Sequence, residues 1–257
     1  MAYALITGAS RGIGLAIAHE LARQKFDLLL VSRSAAPLQL AAQQLAAEHQ
    51  IKTDFLAVDL AELGAAQQVY DWCSKKKYAV QILVNNAGYG LSGPFEKHSM
   101  AEHTDMMRVN MTALVELTYL FLPQLRQQSK AYILNIGSSA AYQAIPGLSL
   151  YSASKSFVLQ FSRGLRLELK SSPVSVTCVC PGATDTNFVD RAQIGEKGRK
   201  AAEKVNMTPE SVAKQATDAL FAGKAEVVTG LLNKAGKFMA WLLPKGLVEK
   251  TAGSIYE

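Results

Sequence analysis

Short apolar runs alternate with longer amphipathic stretches along most of the chain. The apolar runs lie at 2–6, 28–31, 55–58, 81–84, 132–137, 174–179 and 225–229. Between them, alanine- and leucine-rich stretches such as 37–50 and 62–77 are typical of helices. Apolar strands that alternate with helices indicate a parallel sheet buried on both faces. The pattern therefore predicts an α/β fold with one doubly wound parallel sheet of seven strands and helices on both faces.

The first apolar run leads into a glycine-rich turn. Gly8, Gly12 and Gly14 separate it from a helical pattern that carries Ile17 and Leu21. Glycines let the backbone approach a ligand closely, and the next helix offers free N–H groups and its positive dipole end to a phosphate. The spacing G-x-x-x-G-x-G differs from the commoner G-x-G-x-x-G, and an ordinary turn is the alternative. Three glycines between a strand and a helix favour the pyrophosphate loop of a Rossmann-like sheet.

The second strand is followed by a basic residue where an acidic one is common. Sheets that prefer NAD usually carry Asp or Glu about 20 residues past the glycines. Here Asp27 precedes the strand, and Arg33 lies after it. A guanidinium suits a 2′-phosphate, and Arg11 in the glycine loop can assist. We therefore predict NADP(H) rather than NAD(H), with a solvated turn residue as the alternative interpretation of Arg33.

Polar and small residues also follow the third, fourth and sixth runs, at 59–60, 85–88 and 181–186. Ligands of open α/β sheets bind outside the carboxyl ends of the strands, where all these segments fall. Asp59 is open to two interpretations, because its carboxylate can accept a hydrogen bond from an adenine amine or cap the helix predicted near Glu62.

Tyr151 and Lys155 are four residues apart on a predicted helix, which places both side chains on one face. An ammonium near a phenol favours the phenolate and lowers a pKa that is otherwise about 10. Such a tyrosine can exchange a proton with an alcohol or carbonyl oxygen. The pair alone is a weak signal, and a solvated helix face is the alternative. Ser138 lies thirteen residues before Tyr151. Asn110 lies inside a predicted helix, although asparagine has a low helix propensity.

Together these motifs resemble the short-chain dehydrogenase/reductase family over about residues 2–230. The resemblance implies a catalytic tetrad. Tyr151 would donate the proton in reduction, and Lys155 would lower its pKa and hold the nicotinamide ribose. Ser138 would bind the carbonyl oxygen, and Asn110 would hold a water that connects Lys155 to solvent. The implied cofactor contacts are Gly8, Ser10, Arg11, Gly12, Ile13, Gly14, Arg33, Asp59, Leu60, Asn86, Ala87, Gly88, Tyr151, Lys155, Pro181, Gly182 and Thr186.

The expected function is hydride transfer between NADP(H) and a carbonyl or secondary alcohol. Within the family the chain is similar to ketoacyl- and hydroxysteroid-type reductases, which favours a hydrophobic small-molecule substrate. An apolar lip would be formed by residues that core or dimer contacts explain equally well: Leu91, Phe95, Tyr142, Ile145 and Phe188. A non-catalytic NADP(H)-binding regulator is the alternative function. An epimerase or dehydratase is disfavoured, because too few residues remain for a larger C-terminal substrate domain.

We predict one domain over 1–230, including a substrate lid at about 187–207, and a C-terminal extension of the same domain over 231–257. The extension carries Phe238, Trp241 and several leucines among four lysines. A basic amphipathic helix can lie on an anionic membrane. A helix over the substrate cleft or against a partner subunit is the alternative.

Composition and charge exclude several other classes. The chain has 257 residues, no run of eighteen apolar residues and no visible secretory signal. The net charge of +6 is dispersed, so no nucleic acid is expected. The odd number of cysteines (Cys73, Cys178, Cys180) indicates reduced thiols, with metal binding as a remote alternative, and the histidines form no ligand-spaced set with them. We therefore predict a cytoplasmic protein without a metal site.

The helices predicted at 100–122 and 151–170 carry apolar residues on more than one face. This suits a subunit interface as well as packing on the sheet, so a homodimer or homotetramer is expected.

Overall fold

The structure, a computed structural model, describes residues 2–184, 192–193 and 195–256, the side chains of 201–205 and 254–256 excepted. These residues form one parallel sheet of seven strands in the order β3-β2-β1-β4-β5-β6-β7. The strands are β1 (Tyr3–Thr7), β2 (Asp27–Ser32), β3 (Thr53–Ala57), β4 (Val80–Asn85), β5 (Ala131–Ile136), β6 (Val174–Cys180) and β7 (Glu226–Val228). The predicted doubly wound, seven-stranded sheet is confirmed.

Ten α-helices lie in the described ranges. They are α1 (Gly12–Arg23), α2 (Ala35–His49), α3 (Ala65–Lys75), α4 (Met100–Met107), α5 (Ala113–Leu125), α6 (Ser149–Glu168), α7 (Glu196–Val205), α8 (Pro209–Phe221), α9 (Leu231–Leu242) and α10 (Lys245–Tyr256). Buried side chains of α1, α2 and α8 form the core on one face of the sheet. Those of α3, α5 and α6 form the core on the other face.

The strands supply both cores because successive side chains point to opposite faces. In β1, Ala4 and Ile6 pack with α1 and α2, whereas Leu5 between them packs in the opposite core. Each such leucine or isoleucine contributes about 1.5–3 kcal/mol by leaving water. A sheet covered on both faces therefore needs strands that are apolar at every position. Because the strands are parallel, the carboxyl ends of β1 to β6 lie at one edge of the sheet.

The stretch 100–122, which the pattern predicts as one helix, is interrupted. A π-helical turn over Arg108–Thr112 separates α4 from α5. The helix predicted from Glu62 begins at Ala65 instead. Thr208 caps α8, with its side chain accepting a hydrogen bond from the Ser211 N–H.

The C-terminal extension forms two helices that lie differently. In α9 no residue is buried, and the side that faces the protein carries Asn233, Lys237 and Ala240. Its apolar residues point outward, with Leu231 82% and Trp241 76% exposed. By contrast, α10 buries Ala252 in a small core with Tyr151.

Candidate active site

One cavity of about 790 Å³ opens along the carboxyl ends of the strands. Every cofactor contact expected from the sequence and present in the described residues lines it, from Gly8 to Gly182. Ser138 lines it as well. Thr186 lies outside the described residues. The cavity therefore brings the glycine loop and the Tyr151–Lys155 pair into one continuous space.

The glycine loop forms a close-packed cradle at the start of α1. Gly8 and Gly12 have φ values of +67° and +57°, which favour glycine. A Cβ at Gly14 would lie 2.3 Å from the Gly8 carbonyl oxygen, so a side chain there would displace the loop. The Asn86 side chain donates to the Thr7 and Gly8 carbonyl oxygens at 2.9 and 3.2 Å. In the described structure no side chain caps α1, which leaves its first N–H groups suited to a pyrophosphate.

At the far end of the cradle, polar side chains surround the position expected for the adenosine. Arg33 Nη1 lies 3.7 Å from Asp59 Oδ2, and both groups are partly exposed. Ser32 Oγ donates to Ser10 Oγ at 2.9 Å. Asp59 Oδ1 accepts a hydrogen bond from the Ala61 N–H at 3.0 Å, as expected of a capping residue, although no helix begins there. The Arg33 guanidinium is thus held at the cavity wall by a carboxylate that a 2′-phosphate can replace.

Tyr151 and Lys155 lie one turn apart on α6 and are 8% and 5% exposed. Lys155 Nζ lies 5.9 Å from the centre of the Tyr151 ring and donates to the Ile136 carbonyl oxygen at 2.9 Å. Burial lowers the pKa of Lys155 to about 8. Ser138 follows β5 on the opposite wall, where its Oγ accepts a hydrogen bond from the Ala140 N–H at 3.1 Å. A phenol, a buried cation and a hydroxyl therefore line the same cavity.

Asn110 lies behind this wall and does not line the cavity. Its amide donates to the Tyr89 carbonyl oxygen and to Ser154 Oγ at 2.9 and 3.0 Å, and accepts from the Tyr89 N–H at 3.0 Å. A Cβ at Gly88 would lie 3.0 Å from Asn110 Oδ1 and 3.2 Å from Lys155 Nζ. The π-helical turn around Asn110 thus ties the β4 loop to α6 beside the lysine, and nothing in the local sequence predicts this turn.

The end of the cavity beyond Tyr151 is mainly apolar. Ile145, Leu148 and Ala252 line it and pack in one cluster with Tyr151. Sequence reasoning missed Leu148 and Ala252, because they come from an irregular loop and from the extension. Gly198 of α7 also reaches the cavity, whereas most of 185–194 lies outside the described residues.

The apolar lip expected from the sequence is only partly correct. Ile145 lines the cavity, but the Tyr142 hydroxyl points away and donates to Glu226 Oε1 at 2.6 Å. Phe95 is 57% exposed and stacks on His103 outside the cavity. Leu91 packs against the cluster without lining the cavity, and Phe188 lies outside the described residues. The aromatic residues of a loop do not reveal from the sequence which way their side chains point. The direction of Tyr142 is set by its hydrogen bond to the Glu226 carboxylate.

Glu226, Tyr142, Arg163 and Lys237 form a polar cluster that attaches α9 to the body. Arg163 Nη1 donates to Glu226 Oε2 at 2.7 Å, and Lys237 Nζ contacts Glu226 Oε1. Burial acts to raise the pKa of Glu226, but the hydrogen bonds from Lys237, Tyr142 and Arg163 hold it below its usual value. Lys237 therefore faces the protein rather than the solvent.

A family model described as short chain dehydrogenase matches residues 2–197. Very-long-chain 3-oxoacyl-CoA reductase-A of Danio rerio is 37% identical over 183 residues, which are 70% of this chain and 57% of that protein. The ketoacyl reductase HetN of Nostoc sp. is 33% identical over 229 residues, 87% of this chain and 77% of that protein. The chain therefore spans little more than half the length of the very-long-chain reductases.

Solved structures share the fold over nearly the whole chain. A short-chain dehydrogenase from Sphingobium yanoikuyae in complex with NADPH has a TM-score of 0.83 and 30% identity, covering 95% of this chain and 97% of that one. A short chain dehydrogenase/reductase from Burkholderia phymatum in complex with NAD has a TM-score of 0.83 and 22% identity, covering 92% of each chain. On its family model, relatives and fold, this chain belongs to the short chain dehydrogenase family.

Proposed function

We propose that the protein is an NADP(H)-dependent oxidoreductase that reduces a hydrophobic carbonyl compound or oxidises the corresponding secondary alcohol. The observation that carries the proposal is the single cavity that joins the glycine cradle to Tyr151, Lys155 and Ser138. A bound nicotinamide cofactor supplies or accepts the hydride. Binding, orientation and proton transfer then fall to the residues of this chain.

Tyr151 is the proposed proton donor in the reductive direction. The buried Lys155 cation, 5.9 Å from its ring, favours the phenolate that forms when the proton leaves. Ser138 Oγ can donate a hydrogen bond to the substrate oxygen and oppose the charge that develops there. The side chains of Tyr151 and Lys155 are nearly inaccessible to water, which strengthens the electrostatic interaction between them. The role of Asn110 is to hold the wall beside Lys155 and the water through which the lysine exchanges protons with solvent.

A preference for NADPH rests on Arg33. Its guanidinium lies at the cavity wall with Asp59 as a partner, and the end of β2, which usually carries an acidic residue for the ribose 2′-OH, carries Ser32, Arg33 and Ser34 instead. The Sphingobium relative binds NADPH, and the more distant Burkholderia protein binds NAD, so the fold accepts both. We propose that Arg33, assisted by Arg11, determines the preference for NADPH in this chain.

A hydrophobic substrate is favoured by the apolar wall of Ile145, Leu148 and Ala252. Two relatives are named as a very-long-chain 3-oxoacyl-CoA reductase and a ketoacyl reductase, and these names also indicate substrates with an acyl chain. The experiment is to follow NADPH absorbance with a panel of ketones and aldehydes of increasing chain length. We expect turnover with long or bulky ketones. Tight NADPH binding without turnover on the whole panel would instead support a non-catalytic NADP(H)-binding regulator.

We also propose that α9 contacts an anionic membrane surface. Its inward face carries Asn233 and Lys237, so its large apolar side chains lie on the outer side and stay 45–82% exposed. Those side chains are Leu231, Leu232, Phe238, Met239, Trp241 and Leu242. Lys234 of α9 and Lys245 and Lys250 of α10 are exposed, and such cations attract anionic headgroups. None of the helices in the described ranges combines the length and hydropathy needed to span a bilayer.

Co-sedimentation with vesicles of phosphatidylserine and phosphatidylcholine tests this contact. The variant Leu231→Ser/Trp241→Ser should lose sedimentation while keeping turnover, whereas the exposed Leu63→Ser on another surface serves as control. Equal sedimentation of all three proteins would contradict the proposal. Concentration-dependent association without vesicles, removed by the same double substitution, would assign the face to a second copy.

The expected homodimer or homotetramer stays a prediction. Leu114, Leu117 and Phe121 are buried within the chain, whereas Phe157 on α6 remains 41% exposed. Tyr119 on α5 and Leu167 on α6 remain 78% and 74% exposed and are the better candidates. A cytoplasmic location also stays a prediction.

A further inference from the structure

We propose that His19, Glu48 and His49 form a Zn²⁺ site that links α1 to α2. His19 lies in the second half of α1, and Glu48 and His49 are the last two residues of α2. Their potential ligand atoms are His19 Nδ1, Glu48 Oε2 and His49 Nε2, which lie within 4.8 Å of one another. The site is separate from the cavity described above, and none of the three residues lines it.

The separations of the three atoms match those of ligands around one ion. His19 Nδ1 lies 3.2 Å from His49 Nε2 and 3.6 Å from Glu48 Oε2, and His49 Nε2 lies 3.9 Å from Glu48 Oε2. A triangle with these sides has a circumradius of about 2.1 Å, so one point lies about 2.1 Å from all three atoms. Zinc–nitrogen and zinc–oxygen bonds have this length, about 2.0–2.2 Å.

A hydrogen bond alone explains only one side of this triangle. His19 and His49 can share one proton at 3.2 Å, but both distances to the carboxylate exceed a hydrogen bond. Ligands of a tetrahedral ion with bonds of about 2.1 Å lie about 3.4 Å apart, which is near the mean of the three separations. One bound ion would contact all three atoms, whereas the hydrogen bond joins only the two histidines.

The two histidines of the cluster are partly buried between α1 and α2. The side chains of His19 and His49 are 29% and 10% exposed. Burial lowers the pKa of His19, with Glu48 opposing, and this direction favours the neutral ring that a metal requires. The guanidinium of Arg23 forms an ion pair with Glu20, whose carboxylate balances its positive charge. Lys25 Nζ donates to the His49 carbonyl oxygen at 2.9 Å, which holds the end of α2 in place.

Two imidazoles and one carboxylate select a borderline ion such as Zn²⁺ over Mg²⁺ or Ca²⁺, which prefer oxygen ligands. Glu48 is 58% exposed, so the fourth position faces solvent and would take a water. On binding, both rings present lone pairs to the ion, and each keeps its proton on the other nitrogen. No metal site was predicted from the sequence, because the histidines form no ligand-spaced set with the cysteines and His19 and Glu48 are 29 positions apart.

The chain contains a natural contrast at its other two histidines. His98 Nδ1 lies 3.7 Å from Glu102 Oε1, a distance similar to that between His19 and Glu48. There, however, His98 Nε2 and His103 Nε2 are engaged by the Ser92 and Phe95 carbonyl oxygens at 3.0 and 2.9 Å. This set does not converge on one point, and Glu102→Gln is therefore a matched control for Glu48→Gln.

The test uses the full chain without a histidine tag, titrated with Zn²⁺ alone by calorimetry and with Co²⁺ by visible absorption. We expect one ion per chain and a melting temperature that rises by about 5 °C at a Zn²⁺ concentration a hundredfold above Kd. Glu48→Gln should weaken binding at least tenfold, His19→Asn should abolish the Co²⁺ spectrum, and Glu102→Gln should change neither.

The exposed Glu48 can be replaced without disturbing the core, so the test does not depend on the histidine variant folding. The proposal is overturned if the wild-type chain binds no stoichiometric ion. It is equally overturned if Glu48→Gln binds Zn²⁺ as tightly as wild type, or if Glu102→Gln weakens binding as much as Glu48→Gln. None of these measurements depends on turnover, so the result is independent of the proposed reductase activity.

Discussion

The two ends of the cavity are built in different ways. The cofactor end consists of loops that directly follow β1, β2 and β4, where glycines and hydrogen bonds from the Asn86 side chain to backbone carbonyl oxygens define the shape. The substrate end consists of side chains from distant segments, with Leu148 before α6 and Ala252 in the C-terminal helix. Backbone-built sites tolerate little change, whereas side-chain-built sites can alter their shape with single substitutions. Cofactor binding and substrate choice should therefore be separable in this protein.

The largest expected effect lies where the two ends meet. Tyr151→Phe removes the proton donor but no cavity wall, so we expect turnover to fall by about 10³-fold. NADPH affinity should stay within a few-fold of wild type, measured by fluorescence titration. Tyr142→Phe is the matched control, because this phenol contacts Glu226 outside the cavity and should leave turnover nearly unchanged. Equal losses in both variants would remove the proposed role of Tyr151.

Lys155→Met should separate activity from stability. Turnover is expected to fall by about 10²–10³-fold, because the phenolate loses its cation. The folded pKa of about 8 lies below the ordinary value of 10.5, so the buried charge costs about 3 kcal/mol at pH 7. The lost hydrogen bond to the Ile136 oxygen costs about 1–2 kcal/mol, so the melting temperature at pH 7 should not fall.

The sign of the pH dependence gives a second measurement on this variant. Between pH 8 and 10.5 the unfolded wild-type chain binds more protons at this lysine than the folded one, so wild-type stability gains with rising pH. Lys155→Met lacks this gain. A difference in melting temperature that stays constant from pH 7 to pH 9.5 would show that the lysine is not buried as a charge.

Arg33→Asp should affect the cofactor end alone. Loss of one charge-assisted contact to the 2′-phosphate, and repulsion by the new carboxylate, should lower kcat/KM for NADPH by about 10–100-fold and improve use of NADH. Asp59→Asn removes the present partner of Arg33 and is expected to leave the NADPH preference intact. If Arg33→Asp keeps the wild-type preference, the cofactor assignment is wrong.

Ala252→Trp should affect the substrate end alone and is the mildest change. The larger ring occupies space beside the apolar wall that a bulky ketone would need. Overpacking this space should cost about 1–3 kcal/mol of substrate binding free energy, so KM for a bulky ketone should rise about tenfold or more. NADPH affinity should not change. Thr251→Trp adds the same ring at an exposed neighbouring position and should leave KM as it is. A weakened NADPH affinity in Ala252→Trp would show that the two ends are not separable.

Sequence alone was enough for the sheet, for the glycine cradle and for the pairing of Tyr151 with Lys155. These features depend on contacts near in sequence, or on strand ends that any doubly wound sheet brings to one edge. The directions of Tyr142 and Lys237, the π-helical turn at Asn110 and the outward apolar face of α9 were decided by tertiary packing. The same holds for the meeting of His19 with Glu48 and His49. Each depends on which side chains from distant segments share one buried space, and hydrophobic periodicity contains no information about such partners.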